Sequence, residues 1–200
     1  MNRSTPGLVL PLLIWGCTAT PLPEAPLDAE VETNSGTMER TLRGGSIDPD
    51  HIVRGWIFEG GPPFDLAVGS DGTFTHLLPP SAVTLRLGVV AGHGRSVPLD
   101  LQIAETASPV PADPCLRIDR QIEVTLGVNQ VFVENGCEAA VRVAPAVRPG
   151  ATGFRVDATP LDVAAGGSGS IDVEVDTIPD DLLLLFVEGA RTETRAVTLY

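Results

Sequence analysis

The sequence predicts an all-β protein in which two small antiparallel β-sandwich modules follow an export signal and a flexible tether. Three observations lead there. Glycine (21) and proline (18) are abundant while aromatics make up only 4% of the chain, a balance that favours turn-rich β structure over helical bundles. From about residue 47 onward, short apolar runs alternate with turn residues at roughly ten-residue spacing, the signature of a sandwich or barrel. The first fifty residues differ from the rest, with one apolar run and then a polar, proline-rich stretch.

Composition narrows the function. A hydrophobic share of 43% over 200 residues is enough to fill a core. All thirteen basic residues are arginines, against 26 acids, so the net charge is -13. A phosphate backbone needs a concentrated basic surface, and none occurs here, so nucleic acid is excluded as an expected partner.

At the N-terminus, Arg3 and the free amine form a positive region, residues 8–15 an apolar core broken by Pro11, and Gly16 immediately precedes Cys17. The run is too short to cross a hydrocarbon core of about 30 Å as a helix, so it reads as an export signal. "LLIWGC" resembles a bacterial lipobox, with Ile14 three residues before the cysteine and Gly16 directly before it. That resemblance implies that residues 1–16 are a lipoprotein signal peptide and that Cys17 carries the acyl chains. It makes the membrane a partner through a lipid anchor. Thr18 stands where enteric retention signals have Asp, which points to the outer membrane. The alternatives are an ordinary signal peptide cleaved elsewhere, for example after Ala19, and an uncleaved start placed too far upstream of a soluble protein.

Residues 17–46 hold proline, threonine, serine, glycine and acids without a sustained apolar period, and read as the lipidated cysteine followed by a disordered tether. The alternative is that Val31 to Thr33 adds an edge strand to the first module.

The first module is expected over residues 47–106, with strands near Ile52–Phe58, Phe64–Val68, Thr73–Leu78, Val83–Val90 and Val97–Ile103. Asp71-Gly72 suits a tight hairpin turn. "VGSDGTFTHLLPP" and the strands after it resemble bacterial Ig-like repeats and the transthyretin-like carboxypeptidase regulatory module, families that imply a spacer or binding fold and no chemistry. Asp48, Asp50 and His51 suggest a metal site at first sight. Their spacing fits no zinc or EF-hand pattern, and a turn role for Asp48 is the expectation.

After a linker at 107–112, residues 113–200 form the second module. Asn135-Gly136 between two alternating runs is a strong hairpin signal and puts Cys137 at the start of the returning strand. In an oxidising compartment Cys115 and Cys137 are expected to pair, stabilising the fold by about 3 kcal/mol. Two buried free thiols are the alternative. "GFRVDATPLDVAAGGSGSIDVEVDT" resembles ASH and choice-of-anchor-type Ig-like repeats, with Phe154, Val156, Pro160, Leu161, Val163, Gly166, Gly167, Ser168, Ile171, Val173 and Val175 on the pattern. Ser168 in "GGSGS" departs from a nucleophile elbow, because the fifth position is Ser and a strand follows. "LLLLFV" over Leu182 to Val187 is apolar throughout, so it should be buried on both faces or run through the sandwich centre.

No residues converge for catalysis, and no metal ligand or cofactor is assigned. The expectation is an outer-membrane lipoprotein anchored through Cys17, acting as a non-catalytic structural or protein-binding module with a partner in the envelope. A carbohydrate- or metal-binding surface protein, or an accessory subunit of an envelope enzyme, is the alternative.

Overall fold

The computed structural model describes residues 28–34, 36–92, 94–103, 107–110 and 113–200, and every regular element among them is a strand. Residues 28–110 build the first sandwich. One sheet holds β1 (Glu30–Thr33), β2 (Arg40–Gly44) and β5 (Phe74–Leu78), in the order β1-β2-β5. The facing sheet holds β3 (Ile52–Ile57), β4 (Phe64–Ala67), β6 (Thr84–Ala91), β8 (Leu99–Ile103) and β9 (Ala107–Pro109), in the order β4-β3-β6-β8-β9. A two-residue β7 (Gly94–Arg95) pairs with the end of β6.

Period-two alternation fixes what this sandwich buries. Val53 and Ile57 on β3 and Leu85, Leu87 and Val89 on β6 point to the core, where they meet Val31, Leu42, Phe74 and Leu78 of the other sheet. Two glycines sit inside strands because a cross-strand phenylalanine covers each. Gly44 pairs with Phe74 and Gly55 with Phe64, and an added Cβ at either glycine would run into that ring.

The second sandwich starts at residue 113. Its outer sheet contains β10 (Leu116–Ile118), β12 (Gly127–Asn135), β14 (Phe154–Val156) and β16 (Ser168–Val175), ordered β10-β12-β16-β14. The sheet facing the first sandwich contains β11 (Gln121–Ile122), β13 (Val141–Val147), β15 (Leu161–Val163), β17 (Asp181–Glu188) and β18 (Thr192–Leu199), ordered β11-β18-β17-β13-β15. All pairings are antiparallel except β11 with β18. The two sheets face each other across one core as a β-sandwich. Ile171, Val173 and Val175 point inward and their acidic neighbours outward.

Several expectations need correction. Residues 17–46 are not tether throughout, because β1 and β2 lie within them and Ala29, Val31 and Leu42 are buried. The edge-strand alternative is what the fold adopts, with a second strand beside it. Each is too short to show a period, and β5 supplies the partner that holds them. The 107–112 linker is likewise part strand, since β9 pairs with β8.

Neither turn signal makes a hairpin. The strands before and after Asp71-Gly72, and those before and after Asn135-Gly136, belong to different sheets. Both turns carry the chain across a sandwich, which the same residues allow: Gly72 has φ +77° and the Asp71 carboxylate accepts from the Thr73 amide at 3.1 Å.

Candidate functional site

The strongest concentration of buried polar chemistry lies where the two sandwiches meet. Trp56 and Phe58, on the outer side of the first, pack with Leu182, Leu184 and Ala196 of the second into a separate apolar cluster. "LLLLFV" is therefore buried on both faces as its sequence demands. Leu183 and Leu185 fill the second core, while Leu182 and Leu184 fill the junction. Phe186 emerges past the edge, 45% exposed.

Arginines frame this cluster. Arg86 on β6 is 1% exposed and faces its register partner Asp100 on β8. Nε and Nη2 donate to the two Asp100 oxygens at 2.6 and 2.8 Å, and Nη1 crosses to the Arg120 carbonyl at 2.7 Å and the Thr198 hydroxyl at 3.1 Å. Arg148, after β13, does the reverse. Nε and Nη2 hold Asp181 at 2.6 and 2.9 Å, and Nη1 crosses to the Ile57 and Gly61 carbonyls at 3.1 and 2.6 Å.

Burial alone would push the Asp100 carboxyl up. The Arg86 charge and hydrogen bonds, with Arg120 added at 3.2 Å, outweigh it and hold the group below the usual carboxylate range.

A third group closes one end. Asp180 accepts from Arg95 at 2.8 and 3.0 Å and also pairs with Arg54. Arg54 in turn forks onto Asp65 at 2.5 and 2.6 Å, and that hydrogen bonding lowers the Asp65 pKa. Burial, and then the Arg54 charge, push the Arg95 pKa down. The Arg95 guanidinium lies over the Tyr200 ring at 4.6 Å. The Trp56 indole N–H donates to the Asp180 carbonyl at 3.1 Å.

Asp180, Tyr200 and Arg148 all lie at one end of their sheet, yet they meet Arg95, Arg54 and the Ile57–Gly61 turn in succession. Strand β3 therefore runs across the strands of the facing sheet. At the tightest point Gly60, with φ +125°, faces Pro149, whose Cβ and carbonyl oxygen would each lie 3.1 Å from an added Cβ. Arg54, Arg86, Arg95 and Arg148 each direct guanidinium donors to protein acceptors here.

Of the residues singled out by sequence, Cys17 lies outside the described residues. Cys115 and Cys137 form a disulfide with Cα atoms 5.0 Å apart. Asp113 joins them in a group whose potential ligand atoms lie within 4.8 Å of one another. Both sulfurs are taken up by the bond between them, which leaves one carboxylate. Asp48 serves its turn, accepting from the Asp50 amide through its carboxylate at 3.0 Å and from the His51 amide through its carbonyl at 2.9 Å. Ser168 opens strand β16 after the turn at Gly166, whose φ is +69°.

The junction residues were missed by sequence reasoning. A signal existed in "TLRLGVV", where Arg86 occupies one strand face between buried leucines, and in "LLLLFV", whose second apolar face needs a cover.

No family model matches the chain, and no curated protein matches it. Among solved structures the chain is similar to a protein of unknown function from Porphyromonas gingivalis W83, at 12% identity and a TM-score of 0.31, covering 84% of this chain and 93% of that one.

Proposed function

We propose that the protein is an outer-membrane lipoprotein, anchored through Cys17, whose two sandwiches act as one stiff, non-catalytic structural or protein-binding body in the cell envelope. The junction is the observation that supports a stiff two-sandwich body. A shared apolar cluster and two buried arginines that each reach into the opposite sandwich make an interface suited to transmitting position rather than to hinge motion. Domains joined by a small polar contact move freely, whereas a large apolar contact with satisfied charges resists it.

The short N-terminal segment supports the same reading. Residues 18–28 number eleven, and even fully extended they span at most roughly 40 Å. A lipid at Cys17 would hold the first sandwich close to the bilayer. The formal charge of -13 suits a basic partner.

The test is labelling with a palmitate analogue in a bacterial host, followed by crosslinking in the intact envelope. Cys17→Ala should abolish labelling and release the protein from membranes, and the anchored protein should crosslink to a discrete envelope partner. Unchanged labelling of the variant would overturn the anchor.

A further inference from the structure

We propose that Asn135–Gly136 is a latent deamidation site that the Cys115–Cys137 disulfide keeps silent and that opens when the bridge is reduced. Asn-Gly is the dipeptide most open to this chemistry, because glycine puts no side chain in the way of its own amide nitrogen. In this fold both reacting groups are held apart. Asn135 is 1% exposed, and its Nδ2 donates to the carbonyls of Ala139, Val163 and Ala164 at 2.9, 3.0 and 3.1 Å. Its Oδ1 accepts from the Cys137 amide at 3.0 Å. The Gly136 amide, which would be the nucleophile, donates to the Cys115 carbonyl at 2.8 Å.

Two of these restraints belong to the bonded cysteines themselves. Cys115 holds the nucleophile through its carbonyl and Cys137 holds the electrophilic amide through its N–H, so the disulfide ties one holder to the other. Opening it with a thiol reductant uncouples them.

In the step itself, the Gly136 nitrogen gives up its proton and bonds to Asn135 Cγ. The Cγ–Nδ2 bond breaks and the amide leaves as ammonia. Water then opens the succinimide at either carbonyl, giving isoaspartate or aspartate. The new carboxylate would face the Ala139, Val163 and Ala164 carbonyls, where an unpaired charge is strongly disfavoured, so the turn does not re-form.

The experiment incubates the full chain, oxidised or with a thiol reductant, at mildly alkaline pH. The acid forms of the peptide spanning residues 135–136 are quantified by mass spectrometry, and backbone amide exchange is followed in parallel. Reduction should speed conversion at least about tenfold, since a lost hydrogen bond of this kind is worth close to that factor. It should also accelerate exchange of the Gly136 amide while the fully buried Val131 and Val133 on β12 stay protected. Equal conversion with and without reductant would overturn the lock. Conversion in the oxidised native protein as fast as in concentrated urea would overturn the protection. Acceleration of Val131 and Val133 together with Gly136 would show global opening and overturn the local mechanism.

Discussion

Arg86 and Arg148 reach across the junction in opposite directions. Each forks onto an aspartate of its own sandwich, Asp100 or Asp181, and each uses its remaining terminal nitrogen to grip two acceptors of the other sandwich. The guanidinium is planar by its own delocalisation and the fork fixes its orientation, so the crossing hydrogen bonds carry little additional ordering cost. The pairing also explains how two arginines can be buried beside tryptophan and leucine.

Removing one member of such a pair leaves the other charged and dry. Arg148→Ala should lower stability by about 3–5 kcal/mol, because Asp181 loses its partner and the Ile57 and Gly61 carbonyls lose their donor. The double variant Arg148→Met, Asp181→Leu should be less destabilised than Arg148→Ala alone, since no charge is stranded. Urea unfolding of the three proteins makes the comparison.

Gly60 and Gly61 separate strain from clash. Both have positive φ, +125° and +93°, but an added Cβ meets Pro149 only at Gly60 and finds nothing within 4 Å at Gly61. Gly61→Ala should cost about 1 kcal/mol for backbone strain. Gly60→Ala should cost more, about 2–3 kcal/mol, because Pro149 must move as well. Thermal melts of both variants distinguish the two contributions.

Acid should loosen the junction. Asp100 is held below the usual carboxylate range when folded, so its contribution is present above the unfolded value of about 3.9 and is lost as pH falls through the lower folded value. Stability measured from pH 6 downward, as an order-of-magnitude window around that pKa, should drop below about pH 4. Asp100→Asn should be less stable at neutral pH and show a shallower acid limb. An unchanged acid limb in the variant would assign the loss to other carboxylates.

The disulfide closes a loop with a sequence separation of 22 residues. Replacing Cys115 and Cys137 together by serine should lower stability by about 3 kcal/mol, measured by urea unfolding against the oxidised parent.

The sequence spoke most clearly where the information is local. Ile171, Val173 and Val175 declare their face by alternation, and Cys115 and Cys137 are the two cysteines that fall within one module, where they pair. The doubly apolar run at Leu182 to Leu185 even announced that something must cover its second face. What covers it was not legible, because Trp56 and Leu182 are separated by most of the chain and no period links them. Turn residues misled for a related reason. Asn135-Gly136 specifies a reversal, but whether the returning strand pairs in the same sheet or crosses to the other depends on the one core that Val131 and Val141 fill from opposite sheets. β1 and β2 were hidden because Val31 and Leu42 each stand nearly alone in a polar stretch, and only β5 makes them strands.

The most direct measurement of a stiff two-sandwich body is backbone 15N relaxation on the chain from residue 18 onward. If the reciprocal arginine clamps and the Trp56 cluster hold the sandwiches as one, amides in β3 and β6 and amides in β12 and β16 will report a single shared rotational correlation time. Distinct correlation times for the two sandwiches, with faster tumbling of each than a particle of this size allows, would contradict the account.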